Sequence, residues 1–316
     1  MGGSLLFGAT WSLDSGEGID DVCVFVTDQG EIAVYEGTDP SSATTFSLAG
    51  VYEVGAPLSK HAHFHAGGDV AIVTEDGIIS LASAVQKDRA AISRDAITYP
   101  IEDAWREAVT LRTSAHRFNS TIWQSQQMLL VSVPNDIGGD FQAFVCNART
   151  GRWCRYTNWD VQCSGVVDDY LYFGSAGGQI WQAESSGQDG EAPYTASWLP
   201  KFMPINGVSS LNMARVVYRG NLDLAPDLTG ATDFNTSEPV SPTAPVDGVG
   251  DLWGTGLWGT MLWGISTEKT VYSEWQAVYG VGDEISIWCK ATSARTGTPN
   301  IDLIGIEYLY EDAAPL

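Results

Sequence analysis

Three histidines at alternate positions are the residues of this chain best spaced for chemistry. His61, His63 and His65 lie in the run Lys60-His61-Ala62-His63-Phe64-His65-Ala66. Successive side chains of a strand point to opposite faces, so an extended backbone would bring all three imidazoles to one face. Imidazole nitrogen is a good transition-metal ligand, and several subunits converging on an axis could complete such a set. No cysteine or carboxylate clusters beside the histidines in the sequence. The simpler reading is a polar strand face, and no metal is assigned.

Paired carboxylates are the next candidates: Asp20-Asp21, Glu102-Asp103 and Asp168-Asp169. Glycoside hydrolysis needs two carboxyl groups facing each other across a cleft. Each pair here is adjacent in sequence, at a strand entrance or a helix start, where turn and capping roles account for it. There is no G-x-S-x-G elbow, no P-loop and no H-E-x-x-H helix. Gly16-Glu17-Gly18 lacks the strand and helix that a dinucleotide site requires. The expectation is a protein that is not an enzyme, with no catalytic residue and no cofactor.

Sixteen Lys and Arg stand against 39 Asp and Glu, a formal net charge of −23. Such a surface repels nucleic acid and anionic membranes. It serves solubility, and it equally suits a wall that must not hold passing DNA. The five cysteines show no C-x-x-C spacing. Cys23 and Cys146 sit in apolar strand patterns and read as buried thiols, without a disulfide framework, as in a reducing cytosol. No basic n-region precedes a signal-like run, and no apolar stretch is long enough to span a bilayer.

The elements that must carry these residues are mostly strands. Asp21–Val26 and Glu31–Tyr35 flank Thr27-Asp28-Gln29-Gly30. Asp69–Val73 and Ile78–Leu81 flank Thr74-Glu75-Asp76-Gly77. Asp169–Phe173 and Gln179–Gln182 flank Gly174-Ser175-Ala176-Gly177-Gly178. Repeated strand–glycine–strand units are propeller blade material. Residues 82–113 break the pattern. Pro100 suits a first helical position, and Ile101, Trp105, Ala108 and Val109 share one helical face. This inserted helical segment reads as a packing element, with Trp105 as its anchor. Strands resume at Thr121–Trp123, Met128–Val133 and Ala143–Cys146, and Trp153, Tyr156 and Trp159 read as core or blade-interface aromatics.

A polar stretch near 187 marks the domain boundary. Residues 1–187 are read as propeller-like blades and residues 188–316 as a smaller β-sandwich-like domain. The latter carries a Pro/Ser/Gly loop about 235–250 and Trp-Gly steps at Trp253, Trp258 and Trp263, candidate contacts to a neighbouring sheet or subunit. The fold class expected is all-β: a partial β-propeller with an inserted helical segment, then the C-terminal β-domain.

Several segments in order carry a family resemblance. Gly8-Ala9-Thr10-Trp11-Ser12-Leu13-Asp14 leads through Ile19-Asp20-Asp21 into Val24-Phe25-Val26-Thr27-Asp28-Gln29-Gly30-Glu31-Ile32-Ala33-Val34-Tyr35. Gly67-Gly68-Asp69-Val70-Ala71-Ile72-Val73-Thr74-Glu75-Asp76-Gly77 follows, then Asn147-Ala148-Arg149-Thr150-Gly151-Arg152-Trp153. Trp-Gly stretches from Trp253 to Trp263 precede a final Ile306-Glu307-Tyr308 strand. The set resembles a family of tailed-phage virion structural proteins, by analogy the propeller-bearing nozzle or tail-tubular proteins at the tail end. The family's segments follow a long N-terminal half, so this chain resembles a C-terminal half.

The resemblance implies a virion protein assembled in the host cytoplasm, forming a homo-oligomeric ring around the DNA exit channel beside other phage tail proteins. Genomic DNA would pass without tight binding, and contact with the host surface is open to it. About three blades are visible, whereas propellers have four or more, so another chain is expected to complete the propeller. The alternative from a different class is a host-receptor tail protein that binds glycans on tryptophan platforms.

Overall fold

The computed structural model describes residues 2–14, 19–42, 44–110, 118–134, 142–221, 223–244, 269–294 and 297–312. The chain is all-β with few helices, and it forms two compact units, Met1–Ala183 and Glu184–Leu316.

The first unit contains four antiparallel sheets that follow one another along the chain. The first holds β1 (Leu5–Asp14), β2 (Ile19–Thr27), β3 (Glu31–Gly37) and β4 (Phe46–Glu53) in sequence order. The second holds β5 (His63–Ala66), β6 (Asp69–Thr74) and β7 (Gly77–Ser80). Then come the helices α1 (Leu81–Gln86), α2 (Arg89–Ile92) and α3 (Glu102–Thr110). The third sheet holds β8 (Asn119–Trp123), β9 (Met128–Val133), β10 (Gln142–Asn147) and β11 (Arg152–Thr157). The fourth holds β12 (Cys163–Val167), β13 (Tyr170–Gly174) and β14 (Ile180–Gln182).

Side-chain alternation explains how these sheets stack. In the first sheet Val22, Val24, Val26, Ile32 and Val34 are buried while their strand neighbours are not, the pattern of a sheet with one covered face. The middle sheets are buried on both faces, and their central strands read as unbroken apolar runs. Val70 and Ile72 share a core with Phe7 and Trp11 of the first sheet. Ala71 and Val73 share another with Leu129, Val131 and Val133 of the third. Leu130, Ala143 and Val145 turn the other way and pack with Leu171 of the fourth. A polar contact runs beside this last core, where the Thr121 and Ser164 hydroxyls lie 2.7 Å apart. Four sheets thus share three cores, each between sequence neighbours. Among the described residues no core joins the fourth sheet to the first.

The helical insert divides between two cores: Leu81, Ala84 and Ile92 of α1 and α2 pack into the core of the first and second sheets, and α3 into that of the second and third. Ser80 caps α1, its hydroxyl accepting from the Ser83 N–H at 3.4 Å, and Ser80 in turn donates to the Asp69 carboxylate. Asp69 also accepts from the Ala82 N–H at 3.2 Å, so a strand-entrance acid fixes the turn into the helix. In α3 the expected face is the buried one: Trp105 and Ala108 are core residues, with Ile101 and Val109 packed against them.

Among the described residues the second unit forms one six-stranded antiparallel sheet built from β15 (Tyr194–Trp198), β16 (Met203–Gly220), β17 (Asp227–Thr232), β18 (Thr270–Ser273), β19 (Gln276–Ser293) and β20 (Ile301–Asp312). The strands β16 and β19 run for 18 residues each. Register shifts at Pro204/Ser209 and Leu211/Met213 bend their pairing. Leu211, Val216, Leu228, Val278, Ile285 and Ile287 share one core. Beside it, the buried Lys290 ammonium donates to the Pro239 carbonyl at 2.5 Å and pairs with Glu238 at 2.9 Å, fastening the start of the Pro/Ser/Gly loop. Trp253, Trp258 and Trp263 lie outside the described residues.

Candidate functional site

The histidine run does not form the row its spacing suggests. The strand β5 begins at His63, and His61 precedes it in a turn, so strand periodicity does not carry all three rings. His61 and His65 are exposed. His63 instead enters the core between the first two sheets, its ring stacked on Phe7 with centroids 4.1 Å apart and planes 7° from parallel. Among the described residues no three His, Cys, Asp or Glu side chains converge to hold a metal ion.

The His63 Nδ1 is buried and has no hydrogen-bond partner. Burial holds this imidazole below the ordinary histidine range, and repulsion from His65 and His61 adds to the effect; a backbone hydrogen bond at Lys60 opposes it. The unfolded chain therefore takes up the proton more readily than the folded one. The stability contribution is complete above the ordinary value near 6.5 and is lost as pH falls through the depressed folded value. In urea titrations across that window, wild type is expected to weaken with falling pH. His63→Phe, which keeps the ring stack and removes the nitrogen, is expected to flatten the slope. An unchanged slope would sink the assignment.

The carboxylate pairs take up local roles. Asp168 and Asp169 both have positive φ, 49° and 69°, in the turn between β12 and β13, and the Trp123 indole donates to the Asp169 carbonyl at 2.8 Å. Asp21 accepts from the Ser12 hydroxyl at 2.6 Å across the β1–β2 pair. Glu102 and Asp103 occupy the first turn of α3, each paired with Arg106. An open hollow of about 300 Å³ lies beside Ile122, Gln124, Gln127, Ala148 and Arg149, with no carboxylate or histidine in its lining.

All five thiols are free. Cys146 is buried as expected, and desolvation raises its pKa. Cys23 is a correction: Val22 and Val24 take the buried side of β2, and strand alternation turns Cys23 outward. Burial, assisted by Asp227, pushes the Cys289 thiol up to about 11, so it is no nucleophile at neutral pH. Trp105 is buried, and its Nε1 donates to the Thr74 carbonyl at 3.2 Å; it is an interior packing group and presents nothing to a partner. Tyr156 and Trp159 pack edge to face at 4.8 Å, and Trp159 stacks on Phe173 at 4.9 Å in the core joining the third and fourth sheets.

Apolar side chains also lie on the outer faces of the first and fourth sheets. On the first sheet Phe25 and Tyr35 meet edge to face at 5.7 Å, and Tyr35 stacks on Phe46 at 5.2 Å. Tyr35 pairs with Leu48 and Ala33 with Val51, a register shift between Val34 and Tyr35 bringing both to the same side. Leu48 and Val51 are each 43% exposed. On the fourth sheet Val167 pairs with Tyr170, and Gly165 with Tyr172, away from the Leu171 core. Tyr170 is 51% and Ile180 79% exposed. Sequence alternation could have found both faces, because the apolar residues in β2, β3 and β13 occupy both parities.

No protein-family model matches the chain, and a search of curated proteins finds no match to it. Among the described residues no helix is long and apolar enough to cross a membrane.

Proposed function

We propose that the protein is a structural component of a bacteriophage tail, of the nozzle or tail-tubular kind, and that it works by assembly. The observation that carries this reading is the open stack. Four meander sheets in series share cores with their neighbours, and among the described residues of the first unit no core covers the outer faces of the first and last sheets. On this reading the sheets are blades of a partial β-propeller, and the uncovered ends are where association completes it. The net charge of −23 supports a wall past which DNA moves without adhering. The resemblance of the ordered segments to tailed-phage virion proteins supports the location.

The test is mass spectrometry and imaging of intact virions from a phage that encodes the chain. The chain is expected among the virion proteins, with density at the tail end. Virions that lack it overturn the proposal.

A further inference from the structure

In its C-terminal third β19 has an apolar side and a polar side. Ile285 and Ile287 enter the core of the second unit, with Cys289 against it, so strand alternation turns Ser286, Trp288, Lys290 and Thr292 the other way. The polar side is hydrogen-bonded throughout. The Ser286 hydroxyl donates to the Pro200 carbonyl at 2.9 Å, the Trp288 indole donates to the Ser197 hydroxyl at 2.7 Å, and the Thr292 hydroxyl lies 2.8 Å from that of Thr195. Lys290 pairs in register with Ser197 of β15 on one side and Asp227 of β17 on the other. Its ammonium finds its partners in an irregular stretch laid over the strand: the Glu238 carboxylate at 2.9 Å, the Pro239 carbonyl at 2.5 Å and the Ser241 hydroxyl at 3.3 Å. With that stretch in place the lysine side chain is 4% exposed.

Little else holds the stretch down. Residues 235–244 form no strand or helix, and Glu238, Val240 and Ser241 are exposed, Val240 at 89%. Hydrophobic burial therefore contributes little to seating it. Pro239 and Pro242 fix φ at two of its positions, so it moves as a stiff piece. Seating takes an ammonium out of water, a cost that only a charged partner and good hydrogen bonds offset. Glu238 is that partner: its hydrogen bond to Lys290 holds its carboxyl below the usual carboxylate range, so the pair is ionised at neutral pH. Lifting the stretch returns the ammonium to water, so neither position leaves a buried, unpaired charge.

We propose that residues 238–241 are a strap that opens and closes over the polar side of β19, latched shut by the Glu238–Lys290 ion pair. Closed, it hides the ammonium. Open, it bares a cation set among Ser197, Asp227 and Trp288, a polar face unlike the apolar side of the same strand. The device lies wholly in the second unit and stands or falls independently of the tail assignment.

The test is pulse acetylation of the full chain at neutral pH, read lysine by lysine by peptide mass spectrometry. The chain has five lysines, which makes each a separate signal. Lys60 and Lys201 are exposed and set the unhindered rate, and Lys269, paired with Asp302 in the same unit, reports on the sheet as a whole. Wild-type Lys290 is expected to react at least about tenfold more slowly than Lys201, and Glu238→Gln, which keeps the shape and removes the charge, is expected to bring it within about threefold. Lys269 should react equally in both proteins. Ser241→Ala, which leaves the ion pair, should keep Lys290 slow. A wild-type Lys290 as reactive as Lys201 would mean that the strap is not closed. A Lys290 that stays slow in Glu238→Gln would mean that the pair is not the latch. Lys290 and Lys269 rising together would mean that the sheet opens and not the strap, and Ser241→Ala freeing Lys290 as fully as Glu238→Gln would mean that charge does not decide. Each of these results overturns the inference.

Discussion

Trp105→Ala is expected to lower the unfolding free energy of the first unit by about 3–5 kcal/mol, the range for deleting a buried aromatic side chain. The indole is 2% exposed and lies between the second and third sheets, its centroid 5.7 Å from Phe144 and 6.4 Å from Phe118. Its loss opens a cavity where the helical insert meets that core and leaves the Thr74 carbonyl without its indole donor. For a unit of this size the midpoint should fall by about 6–20 °C. Trp105→Phe keeps most of the volume and should cost less than half as much. Calorimetry of the three proteins checks this. A midpoint for Trp105→Ala within a degree of wild type would show that α3 is a surface appendage.

Gly30→Ala is expected to cost at least about 3 kcal/mol, combining left-handed strain with a backbone collision. Gly151→Ala should cost only about 1–2 kcal/mol, the strain alone. Both glycines sit in hairpin turns with positive φ, 87° and 66°. At Gly30 an added Cβ would lie 2.3 Å from the Val54 carbonyl oxygen and 2.8 Å from that of Gly55. These oxygens are backbone, and the chain there is pinned because the Val54 N–H donates to the Gly30 carbonyl at 2.9 Å. At Gly151 nothing lies within 4 Å of the added atom. Urea unfolding of the two variants separates conformational strain from crowding, and equal costs would contradict the close approach at Gly30.

The hairpins at Gly30 and Gly77 were legible because an apolar run stopped at a tight turn ending in glycine and then resumed. The third sheet was harder to read as one body. Its β8–β9 turn has no glycine: Gln127 takes the left-handed position, with φ 51°, and so the pairing lacked its usual mark. This is why about three blades were visible in the sequence where the chain forms four sheets. The long strands β16 and β19 were read only in their apolar parts. Pro204, Gly207, Gly280 and Gly282 resemble strand ends in sequence, whereas bulges absorb them and pairing continues. The histidine run misled for a related reason. Spacing of two implies a common face only if every member is in the strand, and His61 falls in the preceding turn. The end faces were hidden because an alternating apolar pattern does not say what covers its second side.

The serial sharing of cores has a thermodynamic consequence. A body in which each sheet meets only its sequence neighbours behaves as a short one-dimensional array, with stability a sum of per-sheet and nearest-neighbour terms. Melting a middle sheet forfeits two neighbour terms, whereas melting an end sheet forfeits one. Opening therefore starts at the ends and travels inward. The fourth sheet is the weaker terminus, with three strands, the last of them, β14, exposed at every residue. An array joined end to end into a circle has no terminus, and every sheet then costs two neighbour terms to open. Closure would thus protect the sheets farthest from the point of contact as well as those that touch.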